Sequence, residues 1–420
     1  MNRDAYLDAV AGLVRGLHAT PQQAVIEVAG GTLALSWLHA VPGSSRTVLE
    51  ATDRYCRASL ADLLGAVPES VVSSDAAIAM AAAALRRARV LAGPETPVLG
   101  AACTAALATD RGRRGADRAY VAVADAFGTV VSKLTFAALA NAGGKNEPAG
   151  AADPAERGAD SRQAAVRQRQ EAAASAMLVA GLASACGVDA GGVAERFAAA
   201  PGADVRREFY PSESFAALES GRCRRVMLNA AAQVVTTPVD WRGKALLSGS
   251  YHPLHGGHLA LGKAAASFLG REVVYELPLA NADKAPIPLS EAQRRAAQFA
   301  ARAPLVLTRA ALFADKAALF PGAVFVVGAD TAERLVDTRF YGGSVRNMGA
   351  ALAALAERGC RLLVAGRRGG GRFLTLRHLA PRIPAAHRGL FLELPEARFR
   401  RDISSTEVRS RRAAARPACR

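Results

Sequence analysis

From Lys244 onward, short runs of Val and Leu alternate with stretches of helical spacing. ALLSGS (245–250), EVVYELPL (272–279), LVLT (305–308), AVFVVGAD (323–330), RLLVAG (361–366) and LFLELP (390–395) read as strands. Between them, GGHLALGKAAASFL (256–269), LSEAQRRAAQFAARA (289–303) and VRNMGAALAALAERG (345–359) repeat apolar residues at helical intervals. Strands that are apolar almost without interruption are buried on both faces, as in a parallel sheet covered by helices. This predicts a Rossmann-like α/β domain, with its ligands outside the carboxyl ends of the strands.

The whole chain has 420 residues, more than one ordinary core accommodates, so two domains are expected. The first part also mixes classes. AVIEVAGG (24–31), VLGAAC (98–103) and AYVAVADAFGTVVSKLTF (119–136) read as strands, and DAAIAMAAAALRRARVLAG (75–93) as a long helix ending at Gly. A second α/β layer is expected there, without a legible strand order. GGKNEPAGAADPAERGADSR (143–162) is rich in Gly, Pro and charge, and predicts a disordered insertion before a last helix. Short apolar runs broken by PGAD, YPSES and TTP make 201–242 a connecting segment. The expected division is therefore 1–200, a connector 201–242, a second domain 243–412 and a basic tail 413–420.

Charge is uneven between these parts. The chain carries +16, yet 1–242 holds 25 basic against 24 acidic side chains, and 243–420 holds 28 against 13. A positive field in the second half suits an anionic small molecule or nucleic acid. Nucleic acid is disfavoured because aromatic and basic residues do not interleave, and because 47 of the 53 basic residues are Arg in a chain with 96 Ala, a GC-type bias. Six scattered cysteines form neither a C-x-x-C pair nor a zinc spacing, which favours a reducing compartment. The opening MNRDAYLDAVAGLVRGLHAT reads as an amphipathic helix, not a signal peptide. No apolar run reaches the roughly 18–20 residues that span a bilayer. A cytoplasmic protein without a membrane partner is expected.

Two segments carry chemistry. Ser248-Gly-Ser-Tyr-His-Pro-Leu-His-Gly-Gly-His258 leaves a strand and opens a helix. Its glycines let backbone approach a ligand, and the helix start attracts phosphate. His255 and His258 add donors for phosphate oxygens as charge develops. Near the other end, Asp402-Ile-Ser-Ser-Thr-Glu-Val-Arg409 places three small hydroxyls at a helix start and an Arg one turn later. Plainer readings exist for each. His252, His255 and His258 could form a metal triad, although Pro253 and the glycine pair disfavour convergence. SST-x-x-R alone describes many capped helices. GRRGGGR (366–372) lacks the Lys-Ser/Thr of a P-loop and reads as a flexible basic loop, with Arg367 a candidate nucleotide contact.

Residues 243–412 resemble the nucleotidylyltransferase superfamily. SGSYHPLHGGH is similar to its (H/T)-x-G-H signature, ISSTEVR to its I-S-S-T-x-x-R signature, and VFVVGADTAERL (324–335) to its G-x-D element. The likeness is strongest to nicotinamide-nucleotide adenylyltransferases. The resemblance implies transfer of AMP from ATP, with Mg²⁺, to the phosphate of a mononucleotide such as nicotinamide mononucleotide, giving NAD and pyrophosphate. It implies that His255 and His258 contact ATP around the reacting phosphorus, and that Gly249 and Ser250 offer backbone donors. Ser405, Thr406 and Arg409 would hold the outer phosphates. Lys284, Gly328 and Asp330 would lie on the mononucleotide side. Two departures stand out: His252 where many relatives have Asn, and Phe340 with Tyr341 where several have a Trp that stacks on nicotinamide. Another phosphate acceptor, or a non-catalytic nucleotide-binding regulator, are the alternatives.

Residues about 5–200 resemble the CinA C-terminal domains, which include nicotinamide-mononucleotide amidohydrolases. The likeness rests on IEVAGGTLALSWLHAVPGSSRTVLEATDRYCRASLADLLG (26–65), set against the family's A-E-S-C-T-G-G, VPGSS and Tyr-Ser segments. Where the resemblance implies a nucleophilic Ser and a following Lys, this chain has Val28 and Leu60. Neither can act as a nucleophile or base, so an inactive amidohydrolase-like domain is expected, with a homo-oligomer interface as a remaining role. Ser44 and Ser45 persist, with turn hydrogen bonds as the expected use.

Overall fold

The structure, a computed structural model, describes residues 3–109, 115–137, 154–199, 202–280, 285–369, 372–401 and 407–410. It divides into two compact units, Met1–Glu213 and Ser214–Arg420. Both are α/β, as the apolar runs predict.

The first unit runs α1 (Arg3–His18), β1 (Gln23–Ala29), α2 (Leu33–Ala40), β2 (Val48–Asp53), α3 (Arg57–Leu64) and α4 (Ser74–Leu91). It continues with β3 (Val98–Ala106), β4 (Arg118–Ala124), β5 (Gly128–Thr135), α5 (Pro154–Ala185), α6 (Val193–Ala199) and β6 (Asp204–Pro211). The sheet order is β2-β1-β3-β4-β5-β6, parallel over β2-β1-β3 and antiparallel from β3 to β6. Successive strand residues face opposite sides, and the two sides differ in size. Val121 and Val123 pack with α1, α2, α5 and α6, whereas Ala102, Ala122 and Ala124 face Met80, Ala81 and Leu85 of α4. Small residues let α4 sit close to the sheet. A Cβ at Gly100 would lie 2.2 Å from both the Ala81 carbonyl oxygen and the Leu85 nitrogen.

The second unit holds α7 (Glu213–Glu219, which begins at the division), β7 (Arg225–Leu228), β8 (Lys244–Ser248), α8 (Gly256–Leu269), β9 (Glu272–Pro278), α9 (Leu289–Ala296), β10 (Leu305–Thr308) and α10 (Phe313–Leu319). There follow β11 (Val324–Gly328), α11 (Ala329–Leu335), α12 (Val345–Glu357), β12 (Arg361–Ala365), β13 (Arg367–Gly369), β14 (Arg372–Leu374), α13 (Leu376–Leu379) and β15 (Phe391–Leu394). The seven-stranded sheet has the order β15-β12-β11-β8-β9-β10-β7 and is parallel except for β7, which runs antiparallel to β10. Leu246, Val274, Val306, Phe325 and Val364 pack one face against Phe320, Met348, Leu352 and Leu355. From β8 the chain steps one way to β9 and β10, then returns to β11 and steps the other way. That reversal places a topological switch point between β8 and β11, where doubly wound sheets open a ligand crevice.

Three expectations need correcting. Residues 201–242 do not form a connector: Asp204–Pro211 is the last strand of the first sheet and Arg225–Leu228 the edge strand of the second. Of the expected insertion 143–162, residues 143–153 lie outside the described residues, and from Pro154 the chain is already helical in α5. Within the basic run at 366–372, expected as a flexible loop, Arg367–Gly369 pairs antiparallel with Arg372–Leu374, while residues 370–371 lie outside the described residues.

Candidate functional site

The turn after β8 is built from the inside out. Gly249 donates its N–H to the Glu276 carbonyl at 3.0 Å, so that donor is already used. Its missing Cβ has a purpose, since a Cβ there would lie 2.7 Å from the Tyr251 ring. Tyr251 is fully buried at a left-handed φ of 45° and donates its hydroxyl to the Leu247 carbonyl. Its ring meets His258 edge-on at 5.1 Å and Phe299 at 4.9 Å. From outside, α9 and the turn after it clamp the same loop. Arg295 donates to the Ser250 carbonyl at 2.9 Å, while Gln298 accepts from the Leu254 N–H at 2.9 Å and donates to the Tyr251 carbonyl at 3.1 Å. Every one of these bonds fixes where α8 begins.

At that start stand the two imidazoles, stacked with centroids 3.8 Å apart and planes 22° from parallel. His255 is the N-cap residue, and its Nδ1 accepts the Gly257 N–H at 3.2 Å; the Nδ1 of His258 accepts the His255 N–H at 3.3 Å. With Nδ1 an acceptor, each neutral ring carries its proton on Nε2, which has no hydrogen-bond partner among the described residues. The rings are held neutral. Burial, then the neighbouring Arg367 charge, lowers the His255 pKa; burial, His255 and Arg367 lower that of His258 to about 3. The arrangement presents neutral N–H donors at a helix start, a setting suited to an anion.

Across the switch point, β11 ends at Gly328, the N-cap of α11, and Asp330 lies in the first turn of that helix. A Cβ at Gly328 would lie 2.5 Å from the Asp330 carboxylate, which would have to rotate aside to admit it. Asp330 pairs with Arg367, beyond the end of β12, at 3.1 Å, with both side chains about half exposed. Arg409, in the described stretch 407–410, donates to the His252 carbonyl at 2.6 Å and so lies against the imidazole loop. His255, His258, Gly328, Asp330, Arg367 and Arg409 therefore gather around the ends of β8, β11 and β12. Ser405, Thr406 and Lys284 lie outside the described residues. His252 turns instead to Glu291 at 3.1 Å. Among the described residues no three His, Cys, Asp or Glu side chains form a metal-binding group. Of the two rings after β11, Tyr341 bonds the Leu335 carbonyl at 3.2 Å and packs into the core, while Phe340 is 49% exposed under the Arg334 guanidinium.

One polar cluster below this site escaped the sequence reading. Glu276 and Lys316, 0% and 4% exposed in their side chains, pair at 2.6 Å. Glu276 also accepts from Thr308 at 2.6 Å, and Lys316 donates to Ser248 at 3.3 Å. The available signal was Glu276 in the middle of the run VVYELPL (273–279).

In the first unit, Val28 and Leu60 are both buried, in separate apolar clusters. At the start of α2, Thr32 gives its N–H and its hydroxyl to a single oxygen of Glu171, the hydroxyl at 2.8 Å. Ser44 pairs with His39 at 2.9 Å on the surface.

No family model matches the chain, and no curated protein matches it. Solved structures do. The chain is similar to the competence/damage-inducible protein CihA from Agrobacterium tumefaciens, with 22% identity, a TM-score of 0.23, and coverage of 28% of this chain and 74% of that one. It is also similar to a competence-damaged protein (CinA) superfamily member from Escherichia coli, with 15% identity, a TM-score of 0.26, and coverage of 33% and 81%. Scores of this size carry no argument about the chemistry of this chain. Among the described residues no helix is long and apolar enough to cross a membrane.

Proposed function

We propose that the Ser214–Arg420 unit moves the adenylyl group of MgATP onto the phosphate of a mononucleotide, with nicotinamide mononucleotide the first acceptor to try. The observation that carries this reading is the pair of stacked, neutral imidazoles at the α8 start, facing the switch point. A phosphate oxygen of the acceptor attacks the α-phosphorus of ATP, the bond from that phosphorus to the β-bridging oxygen breaks, and pyrophosphate leaves. No covalent enzyme intermediate is needed; alignment and charge stabilisation suffice. His255 and His258 donate from Nε2 to oxygens whose charge grows in the transition state. Arg367 is held in reserve by an exposed ion pair, worth about 0–1 kcal/mol, which a phosphate dianion readily displaces. Arg409 supplies a second guanidinium beside the loop. Mg²⁺ would enter on the triphosphate of the substrate, as it usually does at phosphoryl-transfer sites. Phe340, exposed in the segment after α11, is the ring on which an acceptor base would rest. The Met1–Glu213 unit, with Val28 and Leu60 buried at its expected nucleophile and base positions, hydrolyses no amide by the family route.

The site is tested by calorimetric titration of MgATP together with pyrophosphate release over a panel of mononucleotide and phosphate-ester acceptors. His258→Ala and Arg367→Ala are expected to retain the fold and lose turnover. Turnover that survives both substitutions contradicts the site. Tight MgATP binding without turnover on any acceptor favours the regulatory reading.

A further inference from the structure

The Glu276–Lys316 pair lies beneath the imidazole loop, fully enclosed, and no step of the proposed chemistry uses it. A buried ion pair is a poor source of stability, because apolar replacements of equal volume often do as well. Its connections are more informative than its charge. The Glu276 carboxylate holds Thr308 at the end of β10 and Lys316 of α10. Its backbone carbonyl holds the Gly249 N–H at 3.0 Å. Lys316 reaches the Ser248 hydroxyl at 3.3 Å. The last residue of β8 is thus tied by its side chain to Lys316, itself paired with the Glu276 carboxylate, and the first residue of the turn is tied to the Glu276 backbone carbonyl. Two residues on, Tyr251 packs edge-on against His258.

We propose that Glu276 and Lys316 are positioning residues that fix the end of β8, and through Gly249 and Tyr251 the seat of the His258 imidazole. The catalytic half of this inference rests on the adenylyl-transfer reading, but the structural half does not. His258 is faced by His255 on its own helix, by Tyr251 of the turn, by Tyr275 of β9 and by the charge of Arg367. If the turn loosens, water reaches the ring and its protonation returns toward that of a free imidazole.

The test compares Ser248→Ala, which cuts one tie and leaves the ion pair whole, with Ser248→Thr, which restores the hydroxyl. A third variant, Glu276→Gln with Lys316→Met, removes both charges at nearly constant volume. In the full-length protein the imidazole proton resonance of His258 is followed against pH by NMR, with no nucleotide present. The wild type and Ser248→Thr should titrate far below the ordinary range, and Ser248→Ala and the double variant at least one pH unit higher. With a nucleotide acceptor and MgATP, kcat should fall about tenfold in the double variant while KM for ATP changes less than threefold, the pattern of a lost transition-state alignment. An unchanged His258 titration in both Ser248→Ala and the double variant overturns the proposal. If the wild type does not turn over, the adenylyl-transfer reading fails and the titration alone still decides the positioning claim.

Discussion

Each imidazole at the start of α8 has one nitrogen left to donate, because the other already accepts a backbone N–H. Loss of one such donor from a preorganised site costs about 10²–10³ in kcat, so His258→Ala should lower kcat by that order with circular dichroism unchanged. Acid response separates a neutral donor from an imidazolium. The folded pKa of His258, about 3, lies below its unfolded value near 6.5. The unfolded chain therefore binds more protons between those limits, and stability is lost as pH falls from about 6.5 toward about 3, by at most about 1.4 kcal/mol per unit. Thermal midpoints over that window should drop more steeply for the wild type than for His258→Gln. Equal slopes would mean the ring is solvated. Gly249 makes a second local point: Gly249→Ala should displace Tyr251, since the added methyl would lie 2.7 Å from its ring. Overpacking of that kind costs about 1–3 kcal/mol, measurable as a lower denaturant midpoint.

Strands and helices that are apolar, or apolar at regular spacing, were legible in the sequence. β8, β9, β11 and β12 fall within one or two residues of the Val/Leu runs that predict them. Edge strands were not legible. Asp204–Pro211 (DVRREFYP) is largely exposed and rich in Arg, as edge strands are when they must not pair further, so it reads as linker. Arg225–Leu228 is four residues long and takes its identity from β10, some eighty positions away. The imidazole loop was legible because its glycines and histidines adjoin in sequence. Lys316 was not, because it lies on α10 and its partner Glu276 on β9, 40 positions earlier. Helix α4 illustrates the same limit in packing. Its alanines look like composition bias until Gly100 is seen beneath them, and Gly100→Val should destabilise the first unit in a denaturant melt by bringing a side chain against the α4 backbone.

Length and charge, read over the whole chain, acquire definite meaning. Of the +16, 28 − 13 = +15 falls in residues 243–420, the part proposed to handle phosphate, where clefts of one sign raise the local concentration of anionic substrates. KM for MgATP should therefore rise with ionic strength over a Debye length of about 8–10 Å, and a salt-independent KM would separate the field from function. The Met1–Glu213 unit shares the α/β architecture but buries Val28 and Leu60 where the amidohydrolase family places its reactive groups. Ammonia release from nicotinamide mononucleotide should be absent in the full chain. The most direct trial of the central claim is to incubate the full-length protein with MgATP and nicotinamide mononucleotide, and to quantify dinucleotide by mass spectrometry alongside pyrophosphate. The account predicts one NAD for each pyrophosphate, with both lost in His258→Ala. No dinucleotide from this or any phosphate acceptor would contradict it.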